Sequence, residues 1–358
     1  MGSHRNGRSY ETPAPMNAHR TIFVTTRPPV HQRLALEAAP DELDVTMLVS
    51  PTPEEVERAI SELDPTFLIS ERTGVVTEAM IKAGPHLRLV QRLGSQVHDI
   101  DLDAARAMGV PVCSWPLPHL AMVAEHVMMQ ILSVVKRSRP ASTVVVEASD
   151  RWGEPKRCDA DTFAINWSGF GGVRQIRGST VGIVGFGEVG TVLAGLLQPF
   201  GCSVLYNRRT RLPATAEDRL DVRYADLDAL LEHSDIVVVL LPHSPETEGS
   251  VDASFIDRMR PRSFLVSSGA STILDEDAVA AGYVSGHLAG IAADGFRSEP
   301  VRPDNPLVTL AADPGANVVL TPHSAQADLV LDVALRRREF TNVRSLLDGD
   351  PLRHRVGA

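Results

Sequence analysis

The feature that most constrains this chain is a junction at residues 180–197. An apolar run, Thr180–Val184 (TVGIV), leads into Gly185-Phe186-Gly187-Glu188-Val189-Gly190 and then into the helical pattern VGTVLAGLLQPF. A lone G-x-G-x-x-G is weak evidence, but one that follows a strand and opens a helix has the context a dinucleotide site requires. Gly185 permits the tight turn, Gly187 lets a pyrophosphate approach the backbone, and Gly190 lets helix and strand pack closely. The helix N-terminus adds unpaired N–H groups and the positive end of its dipole. Gly185, Gly187, Glu188, Val189 and Gly190 are therefore the first candidate cofactor-binding residues.

The next strand, Cys202–Tyr206, ends in Asn207-Arg208-Arg209-Thr210-Arg211. A site for NAD normally carries an acidic residue here to bind the ribose 2′-hydroxyl. Three arginines stand there instead, and the forks of Arg208 and Arg209 suit a 2′-phosphate better than a hydroxyl. Asn207, Arg208 and Arg209 are thus read as cofactor-binding, with NADP(H) preferred over NAD(H).

Strands alternate with helices along most of the chain, which predicts parallel sheets covered on both faces. Short strands are expected at Thr21–Thr25, Leu43–Val49, Phe67–Ser70 and Leu87–Arg92. Thr52-Pro53-Glu54-Glu55 reads as a helix start with a capping box. Leu120–Val135 is a helix apolar nearly all round, hence buried. Residues 147–178, with Trp152, Trp167 and Phe170, follow no period, and a long irregular stretch of this kind suggests an arm wrapping a partner. A helical tail is expected at about 325–348. Residues 1–20 are polar, with Met16 as an alternative start, and read as a disordered extension.

At 358 residues the chain has room for about two domains at roughly 150 residues each. Its formal charge of −10 disfavours nucleic acid as a partner. No apolar run reaches the roughly 18 residues that span a bilayer, so no membrane is expected. The three scattered cysteines, Cys113, Cys158 and Cys202, have no metal spacing and fit a reducing cytoplasm.

Segments in order along the chain carry a family resemblance: RLGSQVHDIDLDAA (92–105), VAEHVMMQIL (123–132), GSTVGIVGFGEVG (178–190), DIVVVLLPHSPET (235–247), LDEDAVAA (274–281), LAGIAADGFRSEP (288–300) and NVVLTPH (317–323). Together they resemble the D-isomer-specific 2-hydroxyacid dehydrogenase family. The resemblance implies two Rossmann-like or flavodoxin-like α/β domains. One is a discontinuous substrate domain (21–118 and 324–358), and the other is an inserted NAD(P)-binding domain (119–323). It further implies a homodimer and a small-molecule substrate. His323 matches the family's general acid/base and Glu299 its partner carboxylate, which stabilises the imidazolium as ketone reduction demands. Asp294 matches the residue that holds the nicotinamide carboxamide, Leu241 and Pro242 the loop beneath the adenosine, and Ser95 and Gln96 the substrate-carboxylate loop.

One position departs from the family. Counting from Ile273–Asp277 or back from Glu299 puts Ala270 where the family has an arginine that binds the substrate carboxylate and polarises its carbonyl. Losing such a donor costs a factor of about 10²–10³ in rate. Three explanations stand open: an engineered inactivation, a substrate without 2-oxo acid geometry, or a replacement arginine, with Arg92, Arg174 and Arg297 as candidates. The activity expected is hydride transfer between NADP(H) and a small hydroxy or oxo compound. The alternative is a cofactor-binding regulatory or scaffold protein on the same fold.

Overall fold

The computed structural model describes residues 18–72, 74–161, 165–326 and 332–356. The expected N-terminal extension, with Met16, lies outside these residues up to position 17, and the first strand starts at His19 rather than Thr21. The chain divides into two compact units, Met1–Leu117 with Val330–Ala358, and Pro118–Leu329.

The first unit is built on five parallel strands: β1 His19–Thr25, β2 Leu43–Val49, β3 Phe67–Glu71, β4 Leu89–Leu93 and β5 Val112–Trp115. Their order is β2-β1-β3-β4-β5, the flavodoxin-like arrangement. β3 and β4 are buried along their whole length, as strands covered on both faces must be. β2, at the edge, is only partly buried. The expected capping box is present: Thr52 Oγ1 accepts from Glu55 N–H at 3.3 Å, and Glu55 Oε2 accepts from Thr52 N–H at 2.8 Å. The C-terminal tail returns as two helices, Val333–Glu339 and Thr341–Asp348. It brings Arg336 to 2.7 Å from Glu71, at the end of β3, and to 3.0 Å from Glu339, all three buried.

The second unit carries seven parallel strands: β6 Thr180–Val184, β7 Ser203–Asn207, β8 Val222–Tyr224, β9 Ile236–Val239, β10 Ser263–Ser267, β11 Leu288–Ala293 and β12 Val318–Leu320. The order β12-β11-β10-β9-β6-β7-β8 is the Rossmann order extended by one strand. Side chains alternate between two cores. Val181, Ile183, Ile236 and Val238 meet the helices Pro118–Lys136 and Glu188–Leu197 on one face. Val184, Val237 and Val239 meet Leu230, Phe255, Ile256 and Val279 on the other.

One expectation needs correction. By length and composition the helix Pro118–Lys136 could cross a bilayer, contrary to the reading that no such run exists. It is nevertheless a core helix here, with Ala124, Val127, Ile131 and Val134 fully buried. The aperiodic stretch begins after a helix at Ser138–Glu147, and beyond the short turn Asp150–Trp152 its described residues form no further helix or strand before β6. Lys136 Nζ and Arg137 Nη1 hold its later part by donating to the carbonyls of Arg174 and Gly171.

Candidate active site

The glycine turn is built as its sequence requires. Gly185 has φ +91°, and a Cβ on it would lie 2.8 Å from the carbonyl carbon of Leu240. Its N–H and that of Phe186 donate to Asn207 O at 3.0 and 3.2 Å, tying the turn to the end of β7. Gly187 caps the helix Glu188–Leu197, is exposed, and has open space where a Cβ would stand. At Gly190 a Cβ would press on Phe186 at 3.0 Å, so the helix sits close on the sheet. Glu188 is buried and Val189 half-buried in the first turn. The open face at Gly187, above the unpaired N–H groups of a helix N-terminus, fits a dinucleotide pyrophosphate.

After β7, Asn207 donates its side-chain amide to Ala225 O at 3.0 Å. Arg208 Nη1 is buried and, among the described residues, has no hydrogen-bond partner. Arg209 is exposed and close enough to Glu246 to favour its ionised form. Hydrogen bonds from Ser244 and its own backbone are the larger reasons that the Glu246 carboxyl sits below its ordinary value. Arg211 does not join the other two arginines. Its Nε and Nη2 donate to Glu217 at 2.9 and 2.8 Å, and Tyr206 Oη donates to the same carboxylate at 2.7 Å. Burial, and then the hydrogen bond to Glu217, push the Tyr206 phenol up to about 12.

Leu241 and Pro242 follow β9. Leu241 O accepts from Ala270 N–H at 2.9 Å, and a Cβ on Gly269 would come within 2.7 Å of that oxygen. The loops after β9 and β10 are therefore in backbone contact, with Ala270 half-buried between them.

His323 stands three residues beyond β12 with φ +53°, and its N–H donates to Thr321 O at 2.9 Å. Its Nδ1 lies 2.8 Å from Glu299 Oε2. Glu299 Oε1 accepts from Ser271 Oγ at 2.9 Å and from Phe296 N–H at 3.0 Å. Partial burial raises the Glu299 carboxyl, but hydrogen bonds from His323, Phe296 and Ser271 outweigh it, so the group is held below its ordinary value. With Nδ1 committed to a carboxylate, Nε2 is the ring atom left to exchange a proton with a substrate oxygen.

Asp294, buried at the end of β11, supports the same turn. Its Oδ1 accepts from Thr321 Oγ1 at 2.6 Å and from Ser324 N–H at 2.9 Å, and its Oδ2 accepts from Ala325 N–H at 3.0 Å. His126 Nε2 lies 3.3 Å from that Oδ1 and 3.0 Å from Thr321 Oγ1. Gln130 Nε2 lies 3.3 Å from Thr321 Oγ1, and Ser268 Oγ donates to Gln130 Oε1 at 2.7 Å.

Ser95 and Gln96 follow β4 in the other unit, half-buried and buried respectively. Two of the three candidate replacement arginines are engaged elsewhere. Arg92 is fully buried, bound to Asp99 and to the carbonyls of Arg72 and Gly74. Arg174 donates to Arg262 O and lies over the Phe264 ring, at the opposite end of β10 from Ala270. Arg297 is exposed on the loop that carries Glu299. Among the described residues no group of three His, Cys, Asp or Glu side chains could hold a metal ion.

Sequence reasoning missed Ser271, His126, Gln130 and Thr321. A signal existed for one pair: His126 and Gln130 are polar residues four apart on a mostly apolar helix, which places them on one face.

The model of the D-isomer specific 2-hydroxyacid dehydrogenase NAD-binding domain matches residues 130–325. The chain is 32% identical over 245 residues to a glyoxylate reductase of Aeropyrum pernix, covering 68% of each protein. It is 33% identical over 243 residues to a D-3-phosphoglycerate dehydrogenase of Mycobacterium leprae, covering 67% of this chain but only 41% of that longer protein. Among solved structures, the PH0520 protein of Pyrococcus horikoshii superposes with a TM-score of 0.54 at 26% identity, covering 95% of both chains. With the fingerprint turn, the His323–Glu299 pair and these likenesses together, the chain belongs to the D-isomer-specific 2-hydroxyacid dehydrogenase family, whose members are NAD(P)-dependent oxidoreductases.

Proposed function

We propose that this protein reduces a small oxo compound, or oxidises the corresponding hydroxy compound, with NADP(H) as the preferred cofactor. The observation that carries this reading is the 2.8 Å contact between His323 Nδ1 and Glu299 Oε2 in the unit that also holds the glycine turn. A scaffold has no need of an oriented imidazole. Residues 119–323 serve as the NAD(P)-binding domain, and residues 21–118 with 324–358 as the substrate domain, where Ser95 and Gln96 receive the substrate.

Bound at Gly185–Gly190, the dinucleotide would supply or accept the hydride. The chain supplies the rest. Glu299 fixes the His323 ring, so that Nε2 delivers a proton to the carbonyl oxygen in reduction and removes it in oxidation. Ser271 and the Phe296 N–H keep Glu299 in place. Leu241 and Pro242 would line the adenosine, and Asp294 would hold the carboxamide. Arg208, with its unpaired buried Nη1, supports the preference for a 2′-phosphate, and Arg209 assists it. The protein works as a homodimer through its irregular arm, and its three unpaired cysteines support a reducing cytoplasm.

A single-turnover panel of 2-oxo acids and aldehydes against NADPH-loaded protein tests the reading. NADPH oxidation by at least one compound, abolished in His323→Ala, is expected. Ala270 favours the second reading, a cofactor-binding regulator without turnover, and silence across the panel would select it. For the cofactor, NADPH should bind more tightly than NADH, with the gap narrowing as salt rises, and Arg208→Asp should close it. Equal affinities in the parent at low salt would overturn the NADP(H) preference.

A further inference from the structure

The turn that carries His323 does not hold itself. His323 sits in the left-handed region at φ +53°, where a side chain with a Cβ is disfavoured and must be stabilised by its surroundings. Among the described residues, its one bond inside the turn is N–H to Thr321 O. Thr321 and Asp294 are the anchors, and both are reached from the helix Pro118–Lys136.

The proton accounting on Thr321 fixes the direction of every bond. Its hydroxyl has one hydrogen, and Asp294 Oδ1 at 2.6 Å claims it over Ala293 O at 3.4 Å. Thr321 Oγ1 must then accept from both His126 Nε2 at 3.0 Å and Gln130 Nε2 at 3.3 Å. The Gln130 amide is thereby oriented with Oε1 towards Ser268, whose hydroxyl donates to it. His126 is left as an Nε2–H donor shared between Thr321 Oγ1 and Asp294 Oδ1. Gln130 is fully buried and the His126 side chain is 13% exposed. A buried amide on an apolar helix costs free energy unless each polar atom is paired, and here each one faces this turn or the end of β10.

We propose that His126 and Gln130 are positioning residues, which hold Thr321 and Asp294 so that the following turn presents His323 to Glu299. This rests on the reductase reading above for its kinetic consequence, though not for its structural one. The residues touch no reacting atom in this arrangement. They act through Thr321 Oγ1 and through the Asp294 carboxylate, which in turn binds Ser324 N–H and Ala325 N–H on the far side of His323. The core helix thus serves as the fixed frame of the acid/base pair.

Three variants test this: His126→Leu removes the donor, His126→Gln keeps one, and Thr321→Val removes the shared hydroxyl at nearly unchanged size. In His126→Leu and Thr321→Val, kcat for NADPH-dependent carbonyl reduction should fall roughly ten- to hundredfold, as misplacement of about 1 Å does. KM should change little. In protein labelled with 13C at glutamate carboxyls, the Glu299 titration midpoint should rise, because the hydrogen bond from His323 that helps to depress it weakens. His126→Gln should restore both readouts. A leucine variant with unchanged kcat and unchanged Glu299 midpoint would overturn the proposal, as would failure of glutamine to rescue. Where His126→Leu does not fold, Thr321→Val carries the same test. A parent protein that turns over nothing overturns the reductase reading alone, since the titration decides the positioning role without turnover.

Discussion

Ala270 has a methyl group where the family resemblance calls for a guanidinium. Its N–H is bonded to Leu241 O, and the next residue, Ser271, donates to Glu299. Arg92 and Arg174 are engaged at other places, and of the three candidate replacements Arg297 remains. We expect a natural pocket for a substrate that does not require the family arginine. Ala270→Arg should raise activity on glyoxylate or hydroxypyruvate only slightly, because an added charge without a matching partner is costly in a closed site. A gain of about two orders of magnitude, the worth of a restored donor, would instead mark the alanine as an inactivating change. At this scale the sequence is half legible. The family resemblance points to His323, Glu299 and Ala270, but that Ser271 serves Glu299, and that Arg211 is taken by Glu217, depends on side-chain contacts that no local pattern encodes.

Elements are legible where the local signal is strong. β2 and β6 occupy the residues that alternation and apolarity assign to them, and the Thr52 cap forms as its sequence dictates. Boundaries slip where a polar residue joins a strand, as at His19, Arg20 and Glu71. Aperiodic residues 147–178 are legible only as aperiodic. In the structure, Trp152 and Trp167 meet edge to face at 5.6 Å, yet Trp167 stays 50% exposed, and Val146 and Ile165 are exposed to 79% and 83%. Apolar side chains left open in this way are candidates for burial against a partner. In the proposed homodimer, deleting residues 153–172 should weaken association, read as a higher dimer dissociation constant in analytical ultracentrifugation. A folded deletion variant that dimerises as tightly as the parent would remove the arm from the interface.

At the scale of the whole molecule, two parallel sheets are legible from alternation alone, but the way the chain end stabilises the first unit is not. Arg336, brought from the tail, is shared by Glu71 and Glu339, and one guanidinium cannot neutralise two buried carboxylates equally. Despite burial, Arg336 and Thr25 keep Glu71 below its ordinary value, while burial drives Glu339 up to about 8. On the other side of the cluster, burial and then Arg27 push His31 down to about 4. Linkage gives the signs. Glu339 binds its proton more tightly when folded, so its stabilisation is complete below 4.5 and is lost as pH rises to about 8. His31 binds its proton less tightly when folded, so its contribution is present above 6.5 and is lost as pH falls to about 4. Between 4.5 and 6.5 the two slopes oppose each other. Urea unfolding should therefore show a plateau across that interval and a decline from about 6.5 to 8. Glu339→Gln should abolish the decline, and an unchanged alkaline slope in that variant would disprove the assignment.

The glycine turn offers two positions with opposite demands. A methyl group at 185 would strike the Leu240 backbone at a φ of +91°, so Gly185→Ala should cost at least about 1–3 kcal/mol of folding free energy. A methyl group at 187 would meet nothing within 4 Å, so Gly187→Ala should lower the melting temperature of the unliganded protein only by the small cost of a poorer helix cap. It should also erase the rise in melting temperature that saturating NADPH produces, since a ligand stabilises only the form that binds it. Folding alone therefore demands a glycine at 185, whereas at 187 the demand for one comes from the proposed phosphate contact.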